Sequence, residues 1–180
     1  YNQGAYISDV HVIKVGVASS MVPEQPITPM IPPDHVLVGV GARAGTTTVT
    51  TVHLKHRQIL GGGLFGPVET SKFGSKPDHS LEVLWESQID KIAIVGLDFR
   101  IDSHDDITTM NVYYKEFDEY GNLGKLITPV SVGTKPWYGK MEARYSAEAD
   151  TDFIITGVGL VNHDEDVDSM WIYEGTLVQQ

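Results

Sequence analysis

Cysteine is absent from this 180-residue chain. That excludes disulfide staples, thiol nucleophiles and thiolate zinc sites. Positive charge is scarce: 13 Lys and Arg stand against 24 Asp and Glu, a formal net charge of −11. Phosphate backbones and anionic lipid surfaces are held by clustered Lys and Arg, so neither nucleic acid nor membrane insertion is expected. No apolar run approaches the ~20 residues of a membrane-spanning helix. An apolar period of 3.6 is also missing, and helix should be minimal. There is no Gly-x-Ser-x-Gly elbow, phosphate loop or dinucleotide fingerprint. The glycines of Gly39-Val40-Gly41 fall within a strand pattern rather than before a helix.

What is present is alternation. Ile7 to Val15, Val49 to Lys55 and Ile107 to Tyr114 alternate with period two and are rich in Val, Ile, Thr and Tyr, as suits pleated, half-buried strands. Eighteen glycines and nine prolines punctuate them. The run Val22 to Pro33 is too rich in proline for a central strand and reads as an extended connection. Asp118 to Asn122 reads as a hairpin end, with Gly61-Gly62-Gly63 at the corresponding place upstream.

One strand pair occurs three times, at Val38 to Leu54, Val95 to Val112 and Thr156 to Ile172. The repeated glycines Gly39, Gly96 and Gly157 lie 57 and 61 residues apart. Such a period indicates one supersecondary unit copied and packed against itself. After the first two copies a further strand-like segment follows, Val68 to Val83 and Ile127 to Arg144; the third copy has none. The segment Ala5 to Val17 has the length and alternation to supply the missing strands. The expectation is therefore one all-β domain over 1–180, of three pseudo-repeats of antiparallel strands. Repeat one covers about 35–84, repeat two about 92–146, and repeat three about 152–180, completed by 5–18.

Three β repeats of this length, closed by the N-terminal strands, resemble the β-prism I architecture. Ile94 to Ile101 followed by Asp105 to Val112 is similar to the repeat of the vitelline-membrane outer-layer family. That repeat sets a hydrophobic strand, an Asp-Asp or Asp-Asn turn and a Thr- and Asn-bearing strand in succession. Trp137 to Lys140 lies where that family carries tryptophan-glycine before the next strand. More distantly, Asp166 before Val167 to Trp171 is placed like the Asp that enters the last strand of jacalin-related lectins. The cysteines of the vitelline family are missing here, as is the Gly-aromatic-Leu-Asp signature of jacalin lectins. What the resemblance implies is a non-catalytic carbohydrate-binding protein.

The residues that could do this lie in the loops inside each repeat. Asp102, His104, Asp105 and Asp106 belong to repeat two, and Asn162, Asp164 and Asp166 to repeat three. A carboxylate accepts two hydrogen bonds from vicinal sugar hydroxyls, whereas a turn Asp can equally cap local backbone amides. Repeat one has Ala44 to Thr48 at this place and is degenerate. Trp137, in a turn-like setting, is the tryptophan expected to be partly exposed for sugar stacking; Trp85 and Trp171 are expected in the core.

No metal or cofactor is expected. The alternating Asn162, Asp164, Asp166 and Asp168 are spaced like the first ligands of an oxygen-rich calcium loop but lack the glycine and distal Glu of an EF-hand. His53 with His56, or His104 with Asp102 and Asp106, could be drawn as zinc ligands, but the chain has no tight His-x-His pair or HExxH motif. Twenty-four acids supply glycosidase candidates without singling out a pair, so no enzymatic activity is expected. Glycans or glycoproteins are the expected partners, with homo-oligomerisation adding avidity. The alternatives are a structural or toxin-associated protein-interaction module, and an accessory domain of, or a weak, glycoside-degrading enzyme. The chain begins at Tyr1 rather than Met, as after removal of a leader, and the expected location is secreted or extracellular.

Overall fold

A computed structural model describes residues 6–16, 31–44, 49–74, 83–86, 91–101, 107–127, 130–133, 140–145, 153–163 and 166–178. Thirteen strands are described: β1 (Tyr6–Gly16), β2 (His35–Ala44), β3 (Val49–Gly61), β4 (Leu64–Phe65), β5 (Glu69–Gly74), β6 (Val83–Glu86), β7 (Ile92–Ile101), β8 (Ile107–Phe117), β9 (Leu123–Leu126), β10 (Val130–Gly133), β11 (Lys140–Tyr145), β12 (Phe153–His163) and β13 (Asp166–Val178). No helix occurs among the described residues, and so none there is long and apolar enough to cross a membrane.

The strands form three antiparallel sheets, ordered β4-β3-β2-β6 with β5 also on β3, β10-β8-β7-β11 with β9 also on β8, and β1-β13-β12. The fold is all-β and β-prism I-like. Each sheet is built on one hairpin, β2–β3, β7–β8 or β12–β13, whose first strands touch one another pairwise. The third sheet is closed by β1, which pairs with β13 from Tyr6↔Val178 to Gly16↔Ser169. It takes the place held by β5 on β3 and by β10 on β8. The N-terminal segment thus supplies one strand to this sheet; among the described residues nothing pairs with the other edge of β12, where β6 and β11 flank β2 and β7.

The repetition extends to irregularities in the backbone. Each first strand carries one extra residue immediately before the repeated glycine: Val38, Val95 and Thr156. Each second strand carries one near its start: Thr50, Thr108 and Asp168. A bulge bends its strand and increases the local twist. Two per hairpin, in the same register three times, give the sheets a common curvature with which to wrap one core.

That core is layered. Val40, Leu97 and Val158 are equivalent by register, as are their partners Leu54, Val112 and Ile172. All six are fully buried. Gly63 and Gly121, at positive φ, close the two far-end turns, and these pack together. A Cβ on Gly63 would lie 2.6 Å from the Glu119 carbonyl oxygen, so only glycine fits that contact. In the second turn Asp118 accepts backbone N–H bonds from Tyr120 and Asn122, both at 2.9 Å. The backbone and then the side-chain bonds from Asn122 hold its carboxyl below the usual range.

Candidate functional site

Asp102, His104, Asp105, Asp106, Asp164 and Trp137 lie outside the described residues. Asn162 and Asp166 are described through their backbones. Asn162 is the penultimate residue of β12, paired with Val167, and Asp166 opens β13, paired with His163. The sheet position of Asn162 matches Ala44 and Ile101 on the first strands; on the second strands it is Val167, next to Asp166, that matches Val49 and Ile107 at the openings of β3 and β8. Asp168, the last residue of the alternating Asn162, Asp164, Asp166 and Asp168, is the bulged residue of β13. Trp171 is buried at 6% exposure, in keeping with a core role. Trp85 is described through its backbone alone, opposite Val40.

Among the described residues, polar side chains converge at the opposite end of the first hairpin. His35 and His56 are both buried and approach Nδ1 to Nδ1 at 2.8 Å, their rings tilted by 57°. One ring must donate to the other, so both cannot be protonated here without repulsion at contact distance. The second nitrogen of His56, Nε2, lies 3.0 Å from Ser71 Oγ. Glu69 sits directly across from His56 on β5, while Ser71 is two residues further on, opposite Leu54. A strand exposes alternate residues on one face, which puts His56, Glu69 and Ser71 on the same face. His35 reaches that face diagonally from β2, where it pairs with Gln58.

Ligand atoms of His35, His56 and Glu69 all lie within 4.8 Å of one another. Burial, and then the neighbouring His35 ring, hold His56 below the ordinary histidine value, with Glu69 acting against them. Neutral imidazole is therefore favoured near pH 7. His53 is also lowered, by burial and then by Lys72.

The sequence coupled His56 to His53 and missed His35 and Glu69. Three residues along a strand is an odd step, which sends His53 and His56 to opposite faces. The parity was readable from the alternation. The diagonal approach of His35 across 21 residues was not, because it depends on the bulge at Val38.

A related pair recurs in the third sheet with its residue types exchanged. Glu174 holds the position of His56, and His11 on β1 faces it as Glu69 faces His56. His11 Nε2 contacts Glu174 Oε1. Glu174 is 4% exposed, and its other carboxylate oxygen has no partner among the described residues. Burial pushes the Glu174 carboxyl up, opposed by the charge and hydrogen bond of His11. A cavity of about 310 Å³, mostly apolar, lies beside this sheet between β1 and the segment leading into β2, with Asp34 in its lining.

No family model and no curated protein matches the chain. Among solved structures it resembles the functional form of the mosquito-larvicidal Cry4Aa toxin from Bacillus thuringiensis, with a TM-score of 0.57 at 10% sequence identity. The match covers 96% of this chain and 33% of the toxin chain. The chain thus spans about a third of that protein's length, and at this identity the likeness speaks to fold alone.

Proposed function

We propose that the chain is a non-catalytic recognition module that binds glycans through the segments that join the two strands of each core hairpin. The carrying observation is a contrast inside the molecule. The hairpins repeat in register down to both bulges, while the residues between their two strands change from Ala44 to Thr48 to the acid-rich Asp102 to Asp106 and Asn162 to Asp168. A scaffold copied with its irregularities, carrying loops that differ in chemistry, is the arrangement of a binding protein. On this reading Asp102, Asp105, Asp106, Asn162, Asp164 and Asp166 accept hydrogen bonds from sugar hydroxyls, His104 adds a donor, and Trp137 stacks on a ring face. The similarity to vitelline-membrane outer-layer proteins and to jacalin-related lectins supports the same class. Single sugar sites bind weakly, so a homo-oligomer displaying several would raise avidity, and a secreted location suits extracellular glycans.

A second reading is favoured by the Cry4Aa likeness: a docking module within a longer toxin-type chain, recognising protein rather than sugar. A glycan array, run with and without calcium, separates the two. Retention of a defined glycan class is expected, with Asp106→Ala and Asp166→Ala each weakening it by about tenfold or more, as loss of a charge-assisted hydrogen bond would. Melting temperatures should stay near that of the parent. An array with no retained glycan, or alanine variants that bind like the parent, contradicts the proposal.

A further inference from the structure

We infer that His35, His56 and Glu69 form a site for a divalent transition metal of the zinc type, independent of the glycan-binding loops. Two histidines and a glutamate, with a fourth position left to water, are an established donor set for Zn²⁺. The second histidine nitrogen is also accounted for. Metal-ligating histidines almost always donate their other N–H to a fixed partner, which sets the tautomer. Ser71 Oγ, 3.0 Å from His56 Nε2, is that partner, and it leaves the Nδ1 lone pair of His56 aimed at His35.

The geometry needs small adjustments. Two nitrogens at 2.0–2.1 Å from a tetrahedral ion stand about 3.3 Å apart. The Nδ1 atoms are at 2.8 Å and would open by about 0.5 Å as the ion replaces the proton between them. That proton sits on His35 Nδ1 and passes to its own Nε2 through solvent. Both rings remain neutral and no net proton is released. Glu69 is exposed, so its carboxylate can swing onto the ion at little cost, and its charge offsets part of the cation's.

The internal repeat supplies the independent argument. The position of His35 is occupied by Ile92 in repeat two and by Phe153 in repeat three. The scaffold is therefore built equally well with an apolar side chain there, and a buried histidine is not a requirement of the fold. The third sheet keeps the His–Glu pair as His11 and Glu174 but has Phe153 where the second histidine would stand. Two ligands do not make a zinc site, so metal should bind only the first sheet.

The test is calorimetric titration of the chelator-treated full chain with Zn²⁺ alone near neutral pH, with Ca²⁺ as the control. The expected result is one equivalent bound in the micromolar range or tighter, no response to Ca²⁺, and a melting temperature that rises with Zn²⁺. Ser71→Ala, which removes the outer partner of His56, should weaken binding by about 10–100-fold, and Glu69→Gln, which removes a direct ligand, should weaken it further. Both substitutions are at exposed or half-buried positions and should fold. His35→Ile copies repeat two, so it should fold and abolish stoichiometric binding. Co²⁺ should give the intense visible absorption of a four-coordinate N/O site in the parent and not in His35→Ile. No binding at about 100 µM Zn²⁺, or Glu69→Gln and His35→Ile variants that bind as tightly as the parent, overturns the assignment. Glycan retention is read separately and should not depend on any of these three substitutions.

Discussion

Replacing Leu97 by alanine is expected to destabilise the chain by about 2–5 kcal/mol, the cost of truncating a buried leucine where neighbours cannot collapse into the space. Leu97 is fully buried on β7, with β8 and β11 on either side. That strand also contacts β2 and β12, so the side chain stands where three sheets meet. Its repeat equivalents Val40 and Val158 are equally buried, which supplies a graded control. Leu97→Val restores the residue type of the other two repeats and should cost less than about 1.5 kcal/mol. Urea unfolding checks both: the midpoint should fall in the order parent, valine, alanine with the slope unchanged. For a chain of this size the alanine loss corresponds to a melting shift of about 5–15 °C. A loss under about 1 kcal/mol would mean that the shared axis is not packed as described.

Gly175→Ala is expected to cost about 1–3 kcal/mol, by overpacking. A Cβ there would lie 2.5 Å from Ile7 Cγ2, 3.0 Å from the Ser8 carbonyl oxygen and 3.1 Å from Val10 Cγ2. All three belong to β1, whose register shifts between Ser8 and His11 where it passes Gly175. Asp9, inside that irregularity, has φ of 52°, a left-handed conformation costly for a side-chain-bearing residue. In an ordinary strand, alanine is favoured over glycine by about 0.5–1 kcal/mol, so the predicted sign is opposite to simple propensity. Amide exchange locates the damage: β1 should lose protection while β7 and β8 keep theirs. A stabilised Gly175→Ala, or a loss spread evenly over the three sheets, would mean that β1 does not clasp β13 in this way.

Much of the scaffold was legible in the chain because its signals are local and repeated. Val49 to Lys55 and Ile107 to Tyr114 alternate with period two, the strand pair recurs at Val38 to Leu54, Val95 to Val112 and Thr156 to Ile172, and each copy is a paired hairpin. The turns at Gly61–Gly63 and Asp118–Asn122 were readable because positive φ asks for glycine. The closing role of the N-terminal segment followed from counting strands per copy. The bulges were half visible: the repeated glycine marks the position after Val38, Val95 and Thr156, yet a glycine by itself does not say that the preceding residue is extra.

The His35–His56–Glu69 cluster was not legible. Its members come from three strands, and their meeting depends on which residues oppose one another across β2, β3 and β5. Alternation along one strand reports the face a residue takes but not its neighbours on the next strand. The loop residues Asp102 to Asp106 and Asp164 rest on sequence chemistry and on the strand ends that flank them. For that reason their test is binding rather than geometry.

The closed prism is tested most directly by cross-strand nuclear Overhauser contacts in the labelled chain, together with amide exchange along β1 and β13. Contacts are predicted between Val12 and Tyr173, between Ile13 and Ile172 and between Gly16 and Ser169, which are partners in the register, with slow exchange of the amides that bridge the two strands. Absence of these contacts, with fast exchange along both β1 and the outer edge of β13, would contradict a third sheet completed by the N-terminal strand.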